Sequence, residues 1–379
     1  MRRKLLLPVF FIICCFQNSY AQDQAGIQIG SEYLIRSNIL SEQRQYFVSL
    51  PASYHTTKNR YPVMVISDGD YRFYQASGLL EFLSKQNRIP EMILIGVANT
   101  DRTRDLTPTP IDNNASSGGA DSFLRFIEDE LLVQVDKMYR TNSYRLLAGH
   151  SLGGLFSVHA FLENSDFDAF IATDPSLWWD NQIILDDLKD KLVDTGFRKR
   201  IYLSSADNYE RNEGMVSYMR RGHELFYARL KSLGFPQANV KLGYFLDEDH
   251  GTSAYISLYY GLLFVYDPFR LDDIYNRSSS EIQNHYNQLT ERTSSDFIPP
   301  ENLINDIAQF RLRNEELETA IELLRMNANN YGSYESYVGL GDALARASKK
   351  EEAQSYYEKA LEINPGKSSE IEEKMNELR

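Results

Sequence analysis

The sequence predicts an α/β protein: a three-layer sandwich with a mostly parallel sheet between helices, followed by a smaller all-α domain. Three observations carry this. Short apolar runs at 61–66 (YPVMVI), 92–97 (MILIGV), 167–173 (FDAFIAT) and 200–206 (RIYLSSA) alternate with stretches of helical periodicity. Residues 146–153 (LLAGHSLG) run from a buried strand through a glycine-flanked turn, and a helical run follows at 155–161. Beyond Pro299-Pro300 the composition shifts to Ala, Leu, Glu and Lys.

Length and composition set the frame. A chain of 379 residues is long for one domain, and 42% apolar residues are enough to build a core. The formal charge is −13, and no stripe of Lys and Arg interrupts it, which argues against nucleic acid and against anionic membranes as partners. Arg2, Arg3 and Lys4 precede an apolar run at 5–16, and Ser19-Tyr20-Ala21 supplies small residues for cleavage. This is the pattern of a secretory signal peptide over 1–21, cut after Ala21; a dozen apolar residues are too few to span a bilayer. Export to the periplasm or the exterior follows as an expectation. Cys14 and Cys15 both lie in this segment, so the mature chain has no thiol chemistry and no disulfide.

Taken in order, residues 45–51 (QYFVSLP) alternate as a strand and turn at Pro51. The strand at 61–66 closes on Ser67-Asp68-Gly69-Asp70, and 74–83 reads as a helix. The polar, proline-containing stretch at 99–110 (NTDRTRDLTPTP) is a surface loop beside the C-terminal strand ends, where active-site rims are built, and Arg104 is its candidate rim residue. An amphipathic helix spans 121–139, with Asp121 as its N-cap. The strand at 167–173 runs into Asp174-Pro175-Ser176-Leu177-Trp178-Trp179, which holds both tryptophans of the chain. Trp178 and Trp179 are read either as packing under the loop or as an aromatic wall of the substrate rim. A helix over 213–233 leads to a strand at 240–246, then to Asp247-Glu248-Asp249-His250-Gly251 and an aromatic-rich helix at 253–266.

The chemistry follows from the turn. Gly149-His150-Ser151-Leu152-Gly153 fills the G-x-S-x-G pattern, in which a serine on a strained strand-to-helix turn is exposed at the end of the sheet. The N–H of Leu152 would face the charge that develops on an attacked carbonyl, and the N–H of Asp70 or Gly69 is the expected second donor. His250 follows a predicted strand and is the candidate base; His150, inside the turn, is a packing or rim residue. The acid is expected after the strand at 200–206, with Glu210 preferred and Asp207 the alternative. Serine, acid and histidine then follow one another as in an α/β-hydrolase. The acidic run at 247–250 is too compact to converge on one ion. Neither a metal nor an organic cofactor is expected.

Residues 118–180, with 65–69 (VISDG), 99–108 and 250–264 (HGTSAYISLYYGLLF), resemble the putative-esterase family of α/β-hydrolases, the enterochelin esterase and esterase D-like enzymes. The resemblance covers roughly 28–270, and the catalytic domain is placed at 25–270. It implies Ser151 as nucleophile, His250 as base and an acid that Glu210 fits; Ala206 departs from the glycine that many relatives carry at that strand end.

Residues 271–300 are polar and read as a linker with room for a helix. In 301–379, Tyr337, Leu340, Gly341, Leu344, Ala353, Tyr357, Ala360 and Pro365 fall on the tetratricopeptide pattern, and a fainter copy precedes it by 33 residues. This unit is either a packing appendage or a groove for a protein partner. The functional expectation is an exported serine carboxylic-ester hydrolase acting through an acyl-enzyme on a siderophore-type or carbohydrate-type ester. A non-catalytic scaffold working through the repeats and an acyltransferase with the same triad are the alternatives.

Overall fold

The computed structural model describes residues 28–112, 114–163, 165–186, 188, 199–207 and 213–378. The signal-peptide segment and Glu210 lie outside the described residues.

Eight strands form one sheet: β1 (Ser31–Arg36), β2 (Gln43–Ser49), β3 (Tyr61–Ile66), β4 (Ile93–Val97), β5 (Thr141–His150), β6 (Ala169–Thr173), β7 (Arg200–Ala206) and β8 (Val240–Phe245). Their spatial order is β1-β2-β4-β3-β5-β6-β7-β8. The first two strands run antiparallel and the remaining six are parallel. The parallel strands are apolar on both faces because both are covered. Met64, Ile66, Leu94, Leu146 and Ala148 enter one core, and their alternate neighbours Val63, Val65, Ile93, Ile95 and Leu147 enter the other. β1 is an edge strand whose side chains alternate in exposure.

Helices α1 (Gly69–Lys85), α2 (Arg102–Leu106), α3 (Ala120–Arg125), α4 (Val133–Met138), α5 (Leu152–Leu162), α6 (Glu213–Ser232) and α7 (Ser253–Val265) surround the sheet. α1 and α7 cover one face, while α3, α5 and α6 cover the other. Between α3 and α4 the chain makes a π-helical stretch, Phe126–Leu132. The cap of α3 differs from the expectation: Gly119 holds that position, and the Asp121 carboxylate accepts instead from His159 Nε2 at 2.7 Å. α1 begins five residues earlier than the periodicity predicts, which puts Gly69 and Asp70 in its first turn.

The segment expected as a linker holds α8 (Ser279–Thr293), which starts on a reciprocal capping box between Ser278 and Glu281. Its buried face (Ile282, Tyr286, Leu289) belongs to the same core as Tyr144, Tyr266, Phe269 and Phe297. Asn142 and Ser143, at the start of β5, donate to the carbonyls of Asp296 and Ser294. Helices α9 (Glu301–Arg313), α10 (Leu317–Tyr331), α11 (Tyr334–Arg346), α12 (Lys350–Ile363) and α13 (Ser368–Glu377) complete the chain. α11 and α12 approach closely because Gly341 has no side chain: a Cβ there would lie 2.5 Å from the Tyr357 ring. The core of these helices is continuous with that under α1 and α7, so the repeats and the hydrolase bury one another's apolar surface.

Candidate active site

Ser151 occupies a backbone conformation that L-residues rarely adopt, φ 61° and ψ −117°, between the end of β5 and the start of α5. The neighbouring glycines make it possible. A Cβ on Gly149 would lie 2.2 Å from the Gly153 carbonyl oxygen, and one on Gly153 would lie 2.2 Å from Ser67 Oγ. The strand end, the helix start and the Ser67 loop therefore meet where no side chain fits. The Ser151 N–H donates to the Thr173 carbonyl at 3.1 Å, and its Oγ lies 3.3 Å from Ser176 Oγ. The first intrahelical bond of α5 is Leu155 N–H to Ser151 O, so Leu152 sits among the leading amides of the helix. Gly69 and Asp70 hold the same place in α1, where Tyr71 and Arg72 make the first bonds back to Asp68.

His250 donates from Nδ1 to Asp174 Oδ2 at 2.6 Å. Asp174 stands just past β6 with φ 42°, and it is 1% exposed. Its Oδ1 accepts from the Ala206 N–H at 3.0 Å, and its own N–H donates to Ser204 Oγ. Burial alone would raise the Asp174 carboxyl. The bond from His250, the neighbouring His223 and the Ala206 amide outweigh it and hold the group below the ordinary carboxylate range.

Among the described residues, the carboxylate that meets His250 Nδ1 is Asp174, which the sequence reading did not single out. Asp207 turns to Arg220, 3.3 Å from its carboxylate, and its N–H donates to the carbonyls of Phe245 and Glu248. The chain order serine, acid, histidine is kept by either choice; what differs is the strand that the acid follows, β6 in place of β7.

Trp179 is 4% exposed and donates from Nε1 to the Thr109 carbonyl, anchoring the 99–110 loop from beneath; Trp178 packs on it and is partly exposed. The Arg104 guanidinium is gripped by Glu42 and Asp105 at 2.6–3.1 Å. His150 is 5% exposed and lines a small cavity between α1 and the aromatic-rich helix α7. The loop arginine that does reach the turn is Arg102. It makes two bonds to Asp68 and one, at 3.3 Å, to the His150 carbonyl. Burial opposes ionisation of Asp68, but Arg102 and Asn99 bind it and keep its carboxyl below the ordinary value.

A cavity of about 150 Å³ adjoins His150 between α1 and α7, lined by Tyr71, Arg72, Gln75, Thr252 and Tyr255 among others. A larger one, about 790 Å³, lies between α1 and the start of α9, and its lining includes none of Ser151, His250, Asp174, His150 and Arg102. Chemistry, not size, locates the active site here. Asp121, His159 and Glu163 come together elsewhere, but the two carboxylates approach opposite nitrogens of the one imidazole, at 2.7 and 3.9 Å, as ion-pair partners do.

The profile of the family described as Putative esterase matches residues 37–214, and a tetratricopeptide-repeat profile matches 334–367. A siderophore enterobactin esterase of Emericella nidulans is 30% identical over 216 residues, 46% of this chain and 71% of that protein. The ferri-bacillibactin esterase BesA of Bacillus subtilis is 29% identical over 172 residues, 38% of this chain and 58% of that protein. Among solved structures, an IroE-like serine hydrolase from Shewanella oneidensis superposes with a TM-score of 0.70 at 29% identity, covering 79% of this chain and 99% of that one. The fold and the matches define a carboxylic-ester hydrolase of the α/β-hydrolase class. The chain belongs to the putative-esterase family and carries a tetratricopeptide-like helical unit at its C-terminus.

Proposed function

We propose that this chain is an exported serine esterase that opens siderophore-type esters through an acyl-enzyme. Ser151 Oγ attacks the ester carbonyl carbon while its proton passes to His250 Nε2. Asp174 accepts from Nδ1, fixing the tautomer whose Nε2 lone pair takes that proton, and stabilises the imidazolium once formed. The carbonyl oxygen gathers negative charge at the Leu152 N–H, with Gly69 or Asp70 as second donor. Collapse of the tetrahedral adduct breaks the ester C–O bond, and the leaving alcoholate takes the proton from His250. Water then repeats the sequence on the acyl-enzyme, releasing the acid and restoring Ser151.

The observation that carries the proposal is the His250–Asp174 pair, with His250 tied through His150 to the serine of a strained strand-to-helix turn. The substrate class rests on the relatives named for enterobactin and bacillibactin. No helix among the described residues is long and apolar enough to cross a membrane, which is compatible with an exported protein. The test is turnover of p-nitrophenyl butyrate, then of a triscatecholate trilactone against a feruloylated or acetylated sugar, by wild type and Ser151→Ala. Preference for the trilactone, lost in the variant, supports the proposal; equal rates for the two proteins reject it. The C-terminal repeats are a candidate surface for a protein partner, to be read by whether a captured partner survives Ser151→Ala.

A further inference from the structure

We propose that Arg72 and His150 form a clamp that positions His250, with Arg72 setting the His150 tautomer and His150 holding the His250 main chain. The inference rests on the esterase reading above for its catalytic consequence, but its geometry stands apart from it.

The direction of the bonds follows from the chemistry of the donors. An Arg72 guanidinium nitrogen lies 2.7 Å from His150 Nδ1, and a guanidinium can only donate. Nδ1 is therefore the bare nitrogen, and the ring proton sits on Nε2. That nitrogen lies 2.5 Å from the His250 carbonyl oxygen, which can only accept. The two ends of the chain demand the same tautomer. Ser253 Oγ donates to the same carbonyl at 3.2 Å, and the two imidazole rings pack with centroids 4.4 Å apart. His250 is thus held at its ring by Asp174 and at its carbonyl by His150. The residue that bears the clamp is the immediate neighbour of Ser151, so the elbow and the base loop are tied together directly.

The clamp needs a neutral His150. Burial first, then the Arg72 and His250 charges, push its pKa down to about 3. The charged and titratable groups around it are Arg72 from α1, Asp68 and Arg102 at its main chain, Asp174 beyond β6, and His223 from α6 behind Asp174. A proton added to Nδ1 would face the guanidinium, so His150 stays neutral at working pH.

His150 and Arg72 touch His250 and each other, not the reacting atoms, and act as positioning residues. His150→Leu should lower kcat by roughly 10–100-fold, the range seen when residues that orient a reactive group are lost, with KM within about twofold. His150→Gln keeps an N–H donor at similar reach and should recover most of that loss. Retained kcat in a folded His150→Leu overturns the clamp, as does a Gln variant no better than Leu. Should His150→Leu fail to fold, Arg72→Met and nitrogen-15 NMR of wild type decide. Wild-type His150 should show the Nε2–H tautomer and no titration between pH 5 and 9; in Arg72→Met its titration should move upward. An Nδ1–H tautomer, or titration in the ordinary histidine range in wild type, refutes the proposal. If wild type neither turns over esters nor takes up a fluorophosphonate, the esterase reading fails, while the NMR result still judges the clamp.

Discussion

The Nδ1 of His250 meets a carboxylate, Asp174 Oδ2, at 2.6 Å, and the carboxylate's other oxygen is occupied by the Ala206 amide. Asp174 is held at both oxygens and buried, so it has one orientation to offer the imidazole. Replacing it by Asn keeps the size but puts the wrong group opposite Nδ1. Asp174→Asn should cut kcat by about 10³–10⁴-fold with the fold intact. Asp207→Asn, which disturbs only the contact with Arg220, should leave kcat within a few-fold. Steady-state kinetics on both variants decide between Asp174 and Asp207; the reverse ranking would make Asp207 the acid.

Arg104 is treated as a structural cation. It shares Asp105 with Arg44, and Arg44 and Asp105 are each 1% exposed. Removing one partner of a buried pair leaves an uncompensated charge, costing about 3–5 kcal/mol. Arg44→Met should approach the lower figure, because Arg104 still reaches Asp105. Arg104→Ala should lower Tm while KM for small esters stays unchanged. A raised KM with an unchanged Tm would return Arg104 to the substrate rim.

Acid should weaken the protein in a window set by its depressed groups. His150 falls to about 3 from an ordinary 6.5, and burial depresses His223 as well. Asp68 and Asp174 lie below their ordinary 3.8. Each binds its proton less tightly folded than unfolded, so the unfolded state gains protons as pH falls. The stability tied to His150 is complete above about 6.5 and is lost toward 3. Asp168, pushed up to about 6 by burial, works in the opposite direction. The diagnostic is therefore a difference: the Tm of His150→Gln should fall less steeply than that of wild type between pH 6.5 and 4. Parallel curves would contradict a buried neutral His150.

The repeats should be needed for stability as well as for any partner. Phe297, Tyr286 and Phe269 pack in one cluster with Ile304, Ile307 and Leu324. Deleting the chain after Pro300 uncovers that cluster, and each large side chain so exposed forfeits about 1.5–3 kcal/mol. The expected result is a Tm lowered by well over 10 °C, or aggregation. An unchanged Tm would show the repeats to be an independent appendage.

Much of this was legible in the sequence, and the exceptions share a cause. The strand, turn and helix around Ser151 show because buried parallel strands are apolar on both faces and the elbow demands glycine on either side. β1 gave no such signal: an edge strand half in water needs no apolar run. The contact between Asp174 and His250 was hidden because it depends on which strand end lies under His250, and chain order leaves β6 and β7 equally allowed. The place of Asp174 directly after the 167–173 strand, between Ser151 and His250 in the chain, was the available clue. Loop membership left Trp179 open between packing and rim, and its burial and its bond to the Thr109 carbonyl place it in the packing.

The central claim is that Ser151, served by His250 and Asp174, is the nucleophile. Mass spectrometry of the full chain after fluorophosphonate treatment tests it most directly. One adduct, mapped to the peptide containing Ser151 and lost in Ser151→Ala and sharply slowed in Asp174→Asn, is the predicted result. No adduct on the folded protein, or one that persists in Ser151→Ala, would contradict it.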